Sequence, residues 1–190
     1  MNKPLRRRLH PEARKLEIVE AAERLLRADG ARVRVEDVVR EAGVAKGTFF
    51  LYFPTWDDLL DTVRQRLMAE FDAIYPLPTE VEGPVDWPEV LDRLAAAFID
   101  FASSRQAIGQ VLFHSDFAER RPLANNAIVR LGAIIRAGQE AGAFGAVDPE
   151  STARLLHAAI DEAPRAVSRG GDRDAILAAL QNLLRRTLAP

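Results

Sequence analysis

The sequence predicts an all-α protein, and three observations carry that prediction. Apolar residues recur at the three-to-four spacing of helix faces from Leu16 to Leu188. Glycines, and capping residues placed just before proline or an acidic turn, punctuate these stretches as helix stops and starts. No alternating run demands a strand, and no repeat or low-complexity tract interrupts the pattern.

Arg14 to Gly30 reads as one amphipathic helix, with Leu16, Ile18, Val19, Ala22, Leu25 and Leu26 apolar and Gly30 as its stop signal. Val38, Val39 and Ala42 then repeat at the spacing of one buried face. Gly43 follows, where a left-handed residue ends a helix without a side-chain clash. Val44 can pack in the turn, and Lys46-Gly47-Thr48 opens a short second helix. Helix, glycine turn and short helix make the arrangement of a DNA-reading helix-turn-helix; an ordinary helical hairpin has the same local pattern. Thr55, three residues before Asp58, is a variant capping box for a long helix carrying Leu59, Leu60, Val63, Leu67, Phe71 and Ile74 on one side.

Pro76, Pro78, Gly83 and Pro84 make residues 76–86 a loop. Asp86 caps a helix opening at Trp87-Pro88, with Val90, Leu91, Leu94, Ala97, Phe98 and Phe101 along it. A segment around Ile108 to Ala118 and a longer one from about Arg121 to Ala141 follow. Asp148-Pro149 repeats the cap-plus-proline start for a helix with Leu155, Leu156, Ala159, Ile160 and Ala163. Gly170-Gly171-Asp172 separates it from a last helix with Ile176, Leu177, Leu180, Leu183, Leu184 and Leu188. A short glycine-containing loop makes these two helices antiparallel neighbours.

At 190 residues and 48% apolar, the chain can bury one large or two small cores. No apolar run reaches the roughly 18 residues of a membrane span, and Leu5 to Leu9 lacks the apolar stretch of a signal peptide. With no cysteine, disulfides and thiolate metal sites are excluded, and a cytoplasmic location is expected. The net charge of −2 hides an asymmetry: residues 1–53 hold 12 Lys and Arg against 8 Asp and Glu, residues 54–190 hold 14 against 20. The basic end coincides with the candidate reader, as phosphate neutralisation requires. Charge runs are also common on solvated helix faces, and 23 of the 26 basic residues are Arg, which genome composition explains equally well.

No nucleophile elbow, phosphate loop or paired-histidine metal helix is present, so an enzyme is not expected. Gly142 to Gly145 reads as a helix terminus. His114, Asp116 and Glu119 share one segment, but without a second cluster they read as a polar patch or pocket wall and no metal is expected. His157 fits either a hydrogen-bonded core or a pocket, and Asp161-Glu162 a solvated pair.

The order Arg14, Ile18-Val19-Glu20-Ala21-Ala22, Gly30, Val38, Ala42-Gly43-Val44-Ala45-Lys46-Gly47-Thr48-Phe49, Tyr52-Phe53 and Leu59-Leu60 resembles the tetracycline-repressor (TetR) family of bacterial regulators. The likeness covers roughly the first third of the chain; beyond it lie only a similar helical layout and the segment Ala137 to Phe144, which looks like the family's turn before its penultimate helix. The resemblance implies a three-helix DNA-binding domain over residues 1–54, followed by an effector-binding and dimerisation domain over 55–190. It implies a homodimer through the last two helices; the alternative is that both apolar stripes close the monomer's own core. Such a dimer reads a near-palindromic double-stranded DNA operator.

Carried onto this sequence, the resemblance places Arg32, Arg34, Val35, Ala45, Lys46, Gly47, Thr48, Phe50, Leu51, Tyr52 and Trp56 at DNA. Two of these depart from the family pattern: Phe50 stands where Tyr is common and Trp56 where Lys is common, and both substitutions remove a phosphate partner. Arg34-Val35 replaces the usual Ser or Thr cap. Arg34, Arg32, Lys46, Thr48 and the Arg6-Arg7-Arg8 arm are the candidates to restore those contacts. In the second domain Trp87, Phe98, Phe101, Phe113 and Phe117 are expected around the effector cavity, with Gln110, His114, Asp116 and His157 as its polar groups. Most aromatic stripes are core, and these residues serve that role as well. A small apolar or aromatic effector is expected, with no cofactor and no membrane partner. A helical binding or dimerisation module with a degenerate reader is the alternative.

Overall fold

In the computed structural model, which describes residues 10–76, 85–121 and 126–190, every regular element is helical, and the described residues contain no strand. The Arg6-Arg7-Arg8 arm and Pro78, Gly83 and Pro84 of the expected loop lie outside the described residues. Helix α1 spans Pro11–Asp29, opening three residues earlier than Arg14 because Pro11 supplies a helix-compatible first residue. Its end is at Gly30, as expected, and Leu16 is exposed rather than on the buried face.

Helices α2 (Val35–Glu41) and α3 (Lys46–Tyr52) follow the glycine turn. Gly43 takes φ 61°, and the amide of Val44 reaches back to the carbonyl of Val39 at 2.9 Å. This left-handed residue redirects the chain within three positions. Helix α4 (Trp56–Ile74) opens on the capping box: the Asp58 carboxylate accepts from the Thr55 amide at 2.9 Å, and the Thr55 hydroxyl from the Asp58 amide at 3.1 Å. Ile74, expected on its apolar side, is exposed.

Helix α5 spans Trp87–Ser103 and α9 Pro149–Ser168; Asp86 and Asp148 cap them, accepting from Glu89 and Ser151 amides at 3.0 and 2.9 Å. Asp172 caps α10 (Arg173–Leu188) in the same way. The expected single segment Ile108–Ala118 is instead two helices, α6 (Gln106–Phe113) and α7 (Asp116–Arg120). Ser115 breaks it: its hydroxyl donates to Val111 and accepts from the Phe117 amide at 3.2 Å. Helix α8 spans Asn126–Glu140, starting later than Arg121. Its end is closed by Phe144, whose ring lies so near Gly138 that a Cβ there would come within 2.1 Å of it. Helix α9 continues through Pro164, which sequence punctuation would place at a break.

Two compact units divide the chain: residues 1–67 with 107–121, and residues 68–106 with 122–190. The first buries Ile18, Ala22, Leu26, Val38, Phe49, Phe53, Leu59 and Val63, with the Phe49 and Phe53 rings 5.8 Å apart. It also buries Arg64, whose guanidinium donates to the Arg121 carbonyl at 2.7 Å, pairs with Asp61 and lies over the Phe117 ring. The second packs α5, α8, α9 and α10 around Trp87, Leu91, Ile99, Leu131, Ile135, Leu156 and Leu184. Arg173 grips Asp100 with two bonds of 2.7 Å, and Arg185 pairs with Asp92, tying α10 to α5. Leu155 and Leu183, expected on apolar stripes, are exposed.

Candidate nucleic-acid interface

Helix α3 is short because Ala45 gives it no side-chain cap and Phe53 leaves helical geometry at its other end. One face is anchored by Phe49, fully buried. The opposite face is open. Lys46 and Gly47 are exposed, Leu51 is 78% exposed and Phe50 42% exposed, its ring edge-on to Phe49 at 5.2 Å. Ala45 is exposed, while Thr48, Tyr52, Trp56 and Val35 are half-buried. A Cβ built on Gly47 meets nothing within 4 Å, so only a body approaching from outside would notice one.

The flanking cations are engaged at home. Lys46 Nζ lies 2.6 Å from Glu36 Oε1, and that partner holds the Glu36 carboxyl below its usual pKa. Arg32 pairs with Asp29 at 3.2 Å. Arg34, which was expected to be free for phosphate, turns one guanidinium nitrogen back on the Ala31 and Val33 carbonyls, at 2.6 and 3.0 Å. The missing cap at the start of α2 is partly made good from inside the helix, where Asp37 accepts from the Arg34 amide at 3.0 Å. Neither Glu36 nor Asp37 was singled out from sequence; an acid ten residues before Lys46 carries no periodic signal.

The expected effector residues divide between the units. In the second, Phe98 and His157 line one small cavity of about 60 Å³ together with Phe71, Leu94, Arg130 and Ile160. Its wall is almost wholly carbon. Burial lowers the pKa of His157, against the opposing charge of Asp161, and Arg130 spends its two terminal nitrogens on Asp72 and the Tyr75 carbonyl. Phe101 meets Phe71 edge-on, ring centroids 5.1 Å apart, beneath the Arg105 guanidinium, and Trp87 is core. In the first unit Phe117 is buried, Phe113 and His114 lie side by side, and exposed Gln110 donates to the His114 carbonyl. Asp116 is exposed at the start of α7. None of these five lines the cavity. Sequence alone does not mark Arg130 as a lining residue, and it shows Phe71 only as part of the apolar side of α4.

The geometry of α1 to α3 defines a class, the three-helix domains built on a helix-turn-helix. The sequence pattern of the bacterial regulatory proteins of the tetR family matches residues 18–63. Residues 18–63 therefore carry the pattern of that family, and the rest of the chain shares the helical layout of solved structures of its members. A TetR-family transcriptional regulator from Pectobacterium atrosepticum is 21% identical, with a TM-score of 0.70 and coverage of 96% of each chain. A TetR-like transcriptional regulator from Rhodococcus sp. RHA1 is 20% identical, with a TM-score of 0.65 over 95% of this chain and 98% of the other. RolR, solved in complex with resorcinol, is 20% identical, with a TM-score of 0.69 over 91% and 88%. No protein of curated function matches the chain in sequence. No described helix is long and apolar enough to cross a membrane.

Proposed function

We propose that this protein is a dimeric, ligand-responsive transcriptional repressor that acts in the cytoplasm on a near-palindromic DNA operator. The observation that supports the reading is the open face of α3, where Lys46, Gly47 and Leu51 are exposed and Thr48 is half-buried while Phe49 anchors the helix from behind; in this reading these four meet the groove. Val35, Ala45, Phe50, Tyr52 and Trp56 border that face; Arg32 reaches a phosphate by leaving Asp29, and Arg34 with a guanidinium nitrogen other than the one on the Ala31 and Val33 carbonyls. Dimerisation is supported by Leu155, 75% exposed on α9, and by Leu183 on α10; large apolar side chains gain from burial against a twofold mate. Release by a small apolar or aromatic effector is supported by the carbon-lined cavity beside Phe98 and His157 and by the resorcinol complex of RolR. At about 60 Å³ the cavity is below the roughly 150 Å³ that takes a benzene ring, so a ligand must displace Phe98 or Phe71 to enter.

Selection of bound duplexes from a random pool is the test. Enrichment of a two-half-site motif by the wild-type protein supports the reading, and failure to enrich any motif ends it. Phe50, which lacks a phosphate-binding hydroxyl, favours the second reading, a dimerisation module with a degenerate reader; that module would enrich nothing yet still sediment as a dimer.

A further inference from the structure

The DNA-binding reading leaves the reader's own carboxylates unused. Residues 10–53 hold 8 Lys and Arg against 8 Asp and Glu, so the basic excess of this end resides in Lys3, Arg6, Arg7 and Arg8. Within the folded reader, Arg24 pairs with Glu41, Arg32 with Asp29, Arg40 with Asp37 and Lys46 with Glu36. The last of these differs in place. Lys46 is the first residue of α3, the groove helix, while Glu36 belongs to α2, and both side chains are more than half exposed. The carboxylate thus stands in the open beside the one ammonium that opens the groove helix.

A phosphate approaching Lys46 meets this carboxylate. Either Lys46 abandons Glu36, leaving a bare negative charge beside the DNA backbone, or the ammonium is shared between two anions that repel each other. Both routes cost affinity, and both act on the phosphate, which is the same in every sequence. We infer that Glu36 is an acidic gate on Lys46, an internal stand-in for phosphate that holds down sequence-independent affinity for duplex DNA. Base-edge contacts are left to rank the sequences. The inference rests on the DNA-binding reading above.

Fluorescence-anisotropy titrations of a selected duplex and a random-sequence duplex, each over a series of salt concentrations, test it with Glu36→Gln, which keeps the shape and removes the charge. The variant is expected to bind both duplexes about fivefold tighter, the scale of an exposed ion pair, and its salt dependence is expected to steepen by about one unit. Glu41→Gln, which frees Arg24 at the far end of α2, is expected to change neither. In a Lys46→Ala background the gain from Glu36→Gln is expected to shrink, because the gate then has nothing to close.

Unchanged or weaker binding by Glu36→Gln overturns the gate, as does an equal gain from Glu41→Gln, which would make the effect one of total charge. A change confined to duplexes with one particular base pair also overturns it, since Glu36 would then be reading a base edge. Absence of duplex binding by both wild type and Glu36→Gln overturns the DNA-binding reading and the gate with it. Binding by the wild type that Glu36→Gln leaves untouched removes the gate alone.

Discussion

Gly47 is the residue at which stability and recognition part company. Its backbone takes no left-handed conformation, and a Cβ there has open space, so the fold itself tolerates alanine. Gly47→Ala is expected to stabilise the protein by up to about 0.5–1 kcal/mol through helix propensity, while weakening binding to a selected duplex by crowding its backbone. Thermal melts and binding titrations on the same variant check both signs, and tighter binding would show that Gly47 does not face DNA. Arg34 gives the converse case. If one guanidinium nitrogen holds the loop and another a phosphate, Arg34→Ala should lower the salt slope by about one unit on every sequence. An unchanged slope would leave Arg34 as a loop tie to the Ala31 and Val33 carbonyls.

Helix boundaries with local causes could be read in advance. Thr55, Asp86 and Asp148 each find their amide partner within three residues, so four letters contain the whole interaction. The break at Ser115 was not legible, because a serine inside an apolar run caps only after the chain has already bent around it. Burial of Arg64 escaped for a related reason: its partners, the Arg121 carbonyl and the Phe117 ring, lie more than fifty residues away. The residues expected around an effector show the limit most clearly. Phe98, Phe101, Phe113 and Phe117 look alike in sequence, yet they fall in different compact units, and aromatic type alone cannot assign a core. His157 carries a pH consequence for its own helix. Burial depresses its pKa in the folded state, so its neutral form contributes fully above about pH 6.5. That contribution declines as pH falls toward the lowered folded value, because the unfolded chain then binds the proton first. Denaturant melts between pH 7.5 and pH 5, taken as about neutral and mildly acid conditions, should show falling stability that His157→Leu flattens; an identical profile in the variant would count against a buried neutral imidazole.

For the molecule as a whole, charge and association set the expectations. Residues 10–53 are electrically balanced, so long-range attraction to DNA must draw on the four cations before them. Replacing Arg6, Arg7 and Arg8 with Gln is expected to reduce the salt slope by up to about 2.7 units, at about 0.9 per phosphate, with the sequence preference unchanged. A shift in the preferred motif would instead give the arm a role in base reading. Dimerisation has its own check. Leu155→Asp combined with Leu183→Asp should turn the protein into a folded monomer by sedimentation and abolish binding to a two-half-site duplex. A dimer that survives both changes would move the interface away from α9 and α10.

Pro164 gives α9 a seam. Lacking an amide, it leaves the Ile160 carbonyl without its partner one turn on. Side chains bridge the place instead: Arg165 reaches Asp161 at 2.7 Å and Glu162 at 3.2 Å, and Arg169 also pairs with Glu162. Backbone bonds ignore salt, whereas ion pairs this exposed are screened by it. The final turn of the helix should therefore behave as a separate unit in amide hydrogen exchange, with Ala166, Val167 and Ser168 losing protection in about 1 M salt. Leu156 and its neighbours upstream of the proline should exchange at the same rate in either condition.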